Sequence, residues 1–269
     1  MARLLKAFFF KLKRDLTFKI TLIVGAATAI FTAIILMFMQ EGKALTGPTM
    51  LFTSLSPIQN YGFALPINLI SFICLEFSQG SIRNKIIAGN SKLKIYISLC
   101  VSGIVFVFAL LMAYAIICTG LGSIFGGFDL SKPVILISSM VPEFGLVNGV
   151  FVFKYIAIML LVYLLLCVIT TFVATSFRSI GPSIPIIVIF IFLGFLATTL
   201  TVTFNPDNEA LVAVFRFVNP FYGIISPKLE SSNLVISDID FMGAIVCNLA
   251  WSSLFFTLGC LEFKKRDVK

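Results

Sequence analysis

The residues with the most chemical potential stand together in one short polar stretch, Glu76-x-x-x-Gly80-Ser81-Ile82-Arg83-x-Lys85-Ile86. A carboxylate, a hydroxyl and two cations lie close in sequence, but no nucleophile is paired with a base. The 269-residue chain has no histidine, which removes the commonest general base and metal ligand. Its six cysteines (Cys74, Cys100, Cys118, Cys167, Cys247 and Cys260) sit in or beside apolar runs, and none has the CxxC spacing of a metal or redox site. No G-x-x-x-x-G-K-[ST] occurs, so no phosphate cradle is expected. The chemistry left to the stretch is recognition. Its punctuation predicts a short helix, with Ser81 as N-cap and Gly89 as the left-handed residue past the end. About seven residues lie between them, a helix ~10 Å long. Ile82 and Ile86 share one face, while Arg83 and Lys85 point elsewhere. Such a helix suits a knob pressed into a partner; the plainer alternative is a solvated loop with one helical turn.

The elements that must position it are membrane spans. Hydrophobic residues make up 59% of the chain, charged residues 12%, and mean hydropathy is +1.08. A soluble domain carries about 25% charge. The continuous apolar runs predict an all-α integral membrane protein, a single domain over 1–269 with six transmembrane helices. The spans are expected at about 20–39, 60–75, 95–121, 152–172, 184–202 and 241–261. Residues 1–18 have Leu5, Phe8, Phe9, Leu12 and Leu16 on one face and cations on the rest, the pattern of an in-plane interfacial helix whose partner is lipid. Gln40–Pro57 and Gly122–Asn148 read as loops. In 205–240, the longest loop, a short apolar run before Pro220 and Pro227 predicts re-entrant or interfacial helices.

Lysine and arginine cluster in the N-terminal segment, in 76–94, at Arg178 and in the tail. The other side has only Lys43, Lys132, Lys154, Arg216 and Lys228. The positive-inside rule places both termini and the 76–94 helix in the cytoplasm, with Gly47, Lys132 and Glu209 outside. Ionisable residues are almost absent from span interiors, where ion-coupled carriers usually keep them. Energy is therefore expected from another subunit, delivered at the 76–94 helix. Candidate pathway residues are the polar ones of the spans: Asn60, Asn68, Ser71, Thr198, Thr199 and Asn248, with Ser252 and Ser253 weaker. Each also suits interhelical hydrogen bonding.

This order of features resembles the permease subunit of type-2 ATP-binding-cassette exporters. The likeness covers essentially the whole chain and is most specific at Glu76-x-x-x-Gly80-Ser81-x-Arg83, followed by Ile86 and Ile87. Many members carry Pro near position 89 or 90, where Gly89-Asn90 stands, and Arg where Lys92 and Lys94 stand. The resemblance implies a non-catalytic permease in the cytoplasmic membrane, paired with a second copy or a related permease. It implies two separate ATPase subunits, which hold the ATP and Mg, leaving no cofactor on this chain. ATPase coupling then falls to Glu76, Gly80, Ser81, Ile82, Arg83, Lys85 and Ile86. The small size looks like permeases that expel peptides, bacteriocins or drugs, and nothing points to nucleic acid. The alternative is a self-sufficient carrier or channel, which the charge-poor spans disfavour. An intramembrane enzyme is disfavoured by the missing histidine.

Overall fold

A computed structural model describes residues 6–8, 10, 14, 16–39, 46–56, 60–130, 134–137, 142–204, 228–230 and 233–265. The helices are α1 (Leu16–Met39), α2 (Gly47–Leu55), α3 (Asn60–Ser78), α4 (Ser81–Ile87), α5 (Lys92–Gly126), α6 (Gly149–Phe177), α7 (Ile180–Phe204) and α8 (Asp238–Lys265). Two antiparallel hairpins accompany them: β1 (Val134–Ile137) with β2 (Pro142–Gly145), and β3 (Lys228–Glu230) with β4 (Asn233–Val235). The chain is a multi-pass, all-α membrane protein. Among the described residues four helices are long and apolar enough to cross a membrane: α1 through Phe18–Ile35, α5, α6 and α8. Ala64–Ser78 with α4, bent by 55°, makes a fifth if the pair is one span, and Ile180–Gly194 of α7 is a shorter apolar helix.

α5, α6 and α8 begin ahead of their apolar runs, where polar side chains cap their first turns. The Ser91 hydroxyl accepts from the Lys94 amide at 3.4 Å, and the Asn148 side chain accepts from the Phe151 amide at 2.7 Å. Ahead of α8, the Ser237 hydroxyl accepts from the Asp240 amide (3.1 Å) as an N-cap and donates to the Asp240 carboxylate (2.7 Å). α8 also starts with Asp238 and Asp240 and finishes with Lys264 and Lys265, matching the helix dipole at both ends.

α6 lies in the middle, packed against α3, α5, α7 and α8. α1 lies against α3 and α5, with Phe18 edge-on to Phe106 at 5.5 Å, while Ile23, Phe31 and Phe38 remain exposed, as on a helix facing hydrocarbon. Close approach is tightest where α8 meets α5: a Cβ at Gly259 would fall 1.9 Å from the Tyr96 hydroxyl oxygen. Helix ends gather at two poles. The ends of α3, α6 and α8 meet the start of α5 through Phe77–Phe263 (6.3 Å), Ser176–Glu262 (2.6 Å) and Lys92 to the Lys264 carbonyl (3.5 Å). At the other pole the Lys154 ammonium, at the start of α6, donates to Asp238 at 2.6 Å, and the Leu234 amide donates to the Leu146 carbonyl at 2.9 Å.

Three expectations change. Gln40–Pro57 is not simply a loop, because α2 forms within it. The Gly47-Pro48 pair that reads as a breaker is favourable at a helix start, where proline's missing amide costs nothing. Gly122–Asn148 contains the first hairpin, in register from Val134↔Gly145 to Ile137↔Pro142, which the β-branched Val134, Ile135 and Ile137 support. In 205–240, β3 and β4 form the second hairpin; the expected re-entrant helices lie in 205–227, outside the described residues. The in-plane helix over 1–18 is described only in part. Its Phe8 is buried, whereas Leu5, Phe9 and Leu12 lie outside the described residues.

Candidate functional site

Glu76 occupies the last turn of α3 with its side chain wholly buried. Both facts are unfavourable in isolation. A carboxylate at a helix C-terminus faces the negative end of the dipole, and a buried ion without a partner costs several kcal/mol. The compensation comes from α4. Ser81 donates its hydroxyl to Glu76 Oε2 at 2.7 Å, and the Lys85 ammonium donates to the same oxygen at 2.6 Å. Gly80, in the left-handed region at φ 66°, bends the chain by 55° so that Ser81 and Lys85 of α4 reach the carboxylate.

Ser81 is therefore not the N-cap. Gly80 takes that position without a side-chain hydrogen bond, and the Ser81 hydroxyl goes to the carboxylate, the stronger acceptor. The other end is as expected. Gly89 is left-handed at φ 84°, its amide donates to the Ile86 carbonyl (2.9 Å), and the Asn90 amide donates to the Lys85 carbonyl (3.3 Å). These are the paired bonds of a Schellman end. The Asn90 side-chain amide adds a third bond, to Lys85 O at 3.0 Å.

Ile82 points inward, which corrects the expectation that it meets a partner. Ile82 is 0% exposed and Ile86 is half-buried against the chain's own core. Full burial of an isoleucine gains about 1.5–3 kcal/mol, and here that gain is realised inside the molecule. The outward face is Arg83, Asn84, Ile87 (73% exposed) and Ala88. Lys85 also sits over the Phe8 ring, 3.5 Å from its centroid, tying α4 to the N-terminal segment. Near this pole Arg178, a left-handed non-glycine at φ 57° between α6 and α7, stacks over Phe77 at 5.8 Å.

Of the candidate pathway residues, those whose side chains are described bond within their own helices, Ser252 excepted. The Asn68 side chain donates to Ala64 O (2.8 Å), Ser71 to Ile67 O (3.1 Å) and Asn248 to Ala244 O (2.8 Å), each inside its own helix. Ser253 likewise bonds Ala250 O at 2.8 Å. The side chains of Asn60, Thr198 and Thr199 lie outside the described residues. Thr170 Oγ1, Asn248 Oδ1 and Ser252 Oγ are buried and make no hydrogen bond among the described residues. Thr170 and Tyr163 line an apolar crevice with Leu65, Leu69, Val107 and Cys167, closed too tightly for a water molecule. Sequence reasoning missed Thr170, which looks there like any hydroxyl in an apolar run. It also missed the Glu76–Lys85 pair, for which the signal was an acid at the end of an apolar run with a lysine in the next short helix. Among the described residues no group of acids and cysteines could hold a metal.

Residues 18–269 match the family described as "Protein of unknown function (DUF2705)", and the chain belongs to that family. No curated protein and no solved structure matches the chain.

Proposed function

We propose that this member of the DUF2705 family is the membrane-spanning, non-catalytic permease subunit of a type-2 ATP-binding-cassette exporter. The observation that carries the reading is α4: a seven-residue helix pinned rigidly to the end of α3 by Glu76, with Arg83, Asn84 and Ile87 turned outward. A rigid knob on a membrane helix transmits movement, and a cation beside an exposed isoleucine fits an apolar groove with an acidic rim. In this reading α3 and α7 join the four longer helices as passes, and both chain ends and α4 lie on the cytoplasmic side of the cell membrane, an orientation that the distribution of lysine and arginine supports. Two permeases, identical or related, bind two ATPase subunits, and ATP with Mg is held there. Closure of the ATPases pushes α4, α3 moves with it, and the bundle changes between inward- and outward-open states. The cargo class is an amphipathic or hydrophobic molecule such as a peptide, bacteriocin or drug.

The test replaces Ile87 with Asp and Arg83 with Glu, and measures co-purification of the ATPase at equal membrane levels of the chain. Loss of the ATPase is expected. Retention of the ATPase by the doubly substituted chain would overturn α4 as the docking element.

A further inference from the structure

We infer that the N-terminal segment binds the anionic surface of the membrane through a stripe of Lys6, Phe10 and Arg14, and that Phe8, on its opposite side, passes this contact to α4 through Lys85. The inference rests on α1 crossing the membrane and not on an ATPase partner, so either reading can fail without the other.

Lys6, Ala7, Phe8, Phe10 and Arg14 are the described residues of the segment, and all are helical. At 3.6 residues per turn, Lys6, Phe10 and Arg14, spaced four apart, fall within an arc of roughly 80°. Phe8 points away from that arc. Burial follows the same division. Lys6 and Arg14 are exposed and Phe10 is 60% exposed, whereas Phe8 is 1% exposed. The sequence assigns Phe8 to a lipid face; in the structure Lys85 of α4 takes its ring instead.

Three features fit the outward stripe to an anionic bilayer. The Arg14 guanidinium lies over the Phe10 ring, 4.3 Å from its centroid, so a cation and an exposed aromatic are presented together. Such a pair suits the headgroup layer, where the ring meets the acyl boundary and the cation meets phosphate. The membrane span of α1 begins at Phe18, four residues after Arg14 and about 6 Å further along a helix, which keeps the stripe at the interface. Residues 1–19 also hold six lysines and arginines against one acid, Asp15, a balance that draws the segment to negative lipid.

Lys85 connects this segment to α4. Its ammonium sits 3.5 Å from the Phe8 centroid and donates to Glu76 at 2.6 Å, the bond that pins α4 to α3. α4 is therefore held from two sides by one cation. The stripe and Phe8 face opposite ways, so adsorption to the bilayer does not compete with the seating of Phe8 on Lys85. Whatever favours the seated segment then favours docked α4, by linkage. One cation beside an anionic surface is worth about a fivefold change in such an equilibrium.

The test places the full chain in nanodiscs of phosphatidylcholine, alone or mixed with phosphatidylglycerol. Hydrogen exchange is followed at the Ala88, Gly89 and Asn90 amides, which close the end of α4. Exchange there is expected to be about fivefold slower or more in the anionic bilayer. Lys6→Gln with Arg14→Gln should remove most of that difference. Phe8→Leu keeps the apolar volume but not the ring face; it should exchange several-fold faster in the anionic bilayer and lose its dependence on lipid charge. Amides in the middle of α5 should keep their protection throughout, which shows that each variant is folded. Equal exchange of the native chain in the two bilayers would overturn anionic lipid as the partner. Full lipid dependence in the Lys6→Gln, Arg14→Gln chain would overturn the stripe, and full lipid dependence in Phe8→Leu would overturn the link to α4.

Discussion

Removing the Glu76 carboxylate should free α4 from α3. In Glu76→Ala, Ser81 and Lys85 both lose the oxygen they share. Deleting one partner of a buried ion pair costs about 3–5 kcal/mol, because the remaining charge is stranded. The Lys85 side chain is 16% exposed and reaches some water, so the lower figure applies, about 3 kcal/mol. At about 1.4 kcal/mol per decade, the docking equilibrium of α4 shifts roughly a hundredfold. Hydrogen exchange of the Ala88, Gly89 and Asn90 amides, which close the end of α4, reports that equilibrium. They should exchange roughly a hundredfold faster, while amides in the middle of α5 keep their protection. Glu76→Gln with Lys85→Met removes both charges and should recover most of the loss. Unchanged exchange in Glu76→Ala would refute the pinning, as would a double variant no better protected than the single one.

Ile82→Asp should lower the amount of folded chain by stranding a carboxylate inside the molecule, whereas Ile87→Asp should leave that amount unchanged; detergent-resistant thermal unfolding separates the two. Gly259→Ala should destabilise the chain by about 1–3 kcal/mol, because Tyr96 must leave its place against α8 to admit the methyl group; the melting temperature reads it. Reporter fusions after Gly127 and after Lys265 should fall on opposite sides of the membrane, and finding both on one side would end the six-pass topology.

The long helices were legible because apolar runs of membrane length leave few alternatives: α1, α5, α6 and α8 cover their expected spans, and α5, α6 and α8 begin ahead of them at side-chain caps. The end of the helix at 81–87 was legible from Gly89, which takes the left-handed backbone that glycine tolerates, while its start was read from Ser81 and is capped instead by Gly80. Which way the helix faces was not legible. Spacing places Ile82 and Ile86 on one side but does not say whether that side meets the chain's own core or another protein; tertiary packing decided for the core. Ser81 was misassigned for a similar reason, since the competing acceptor, Glu76, becomes available only once the chain turns at Gly80. α2 was hidden because Gly47 and Pro48 are breakers inside a helix and starters at its first turn. The candidate pathway stayed illegible, because Asn68, Ser71 and Asn248 bond within their own helices and so carry no mark of a shared cavity.

The central claim is that energy arrives from a separate subunit docked on α4. Purifying the native chain from its own cells in mild detergent and assaying ATP hydrolysis before and after stripping its partners tests this most directly. The expected result is a soluble nucleotide-binding subunit in equal number to the permease, hydrolysis by the complex, and none by the stripped chain. Robust hydrolysis by the stripped chain, or export by the chain reconstituted alone, would contradict it.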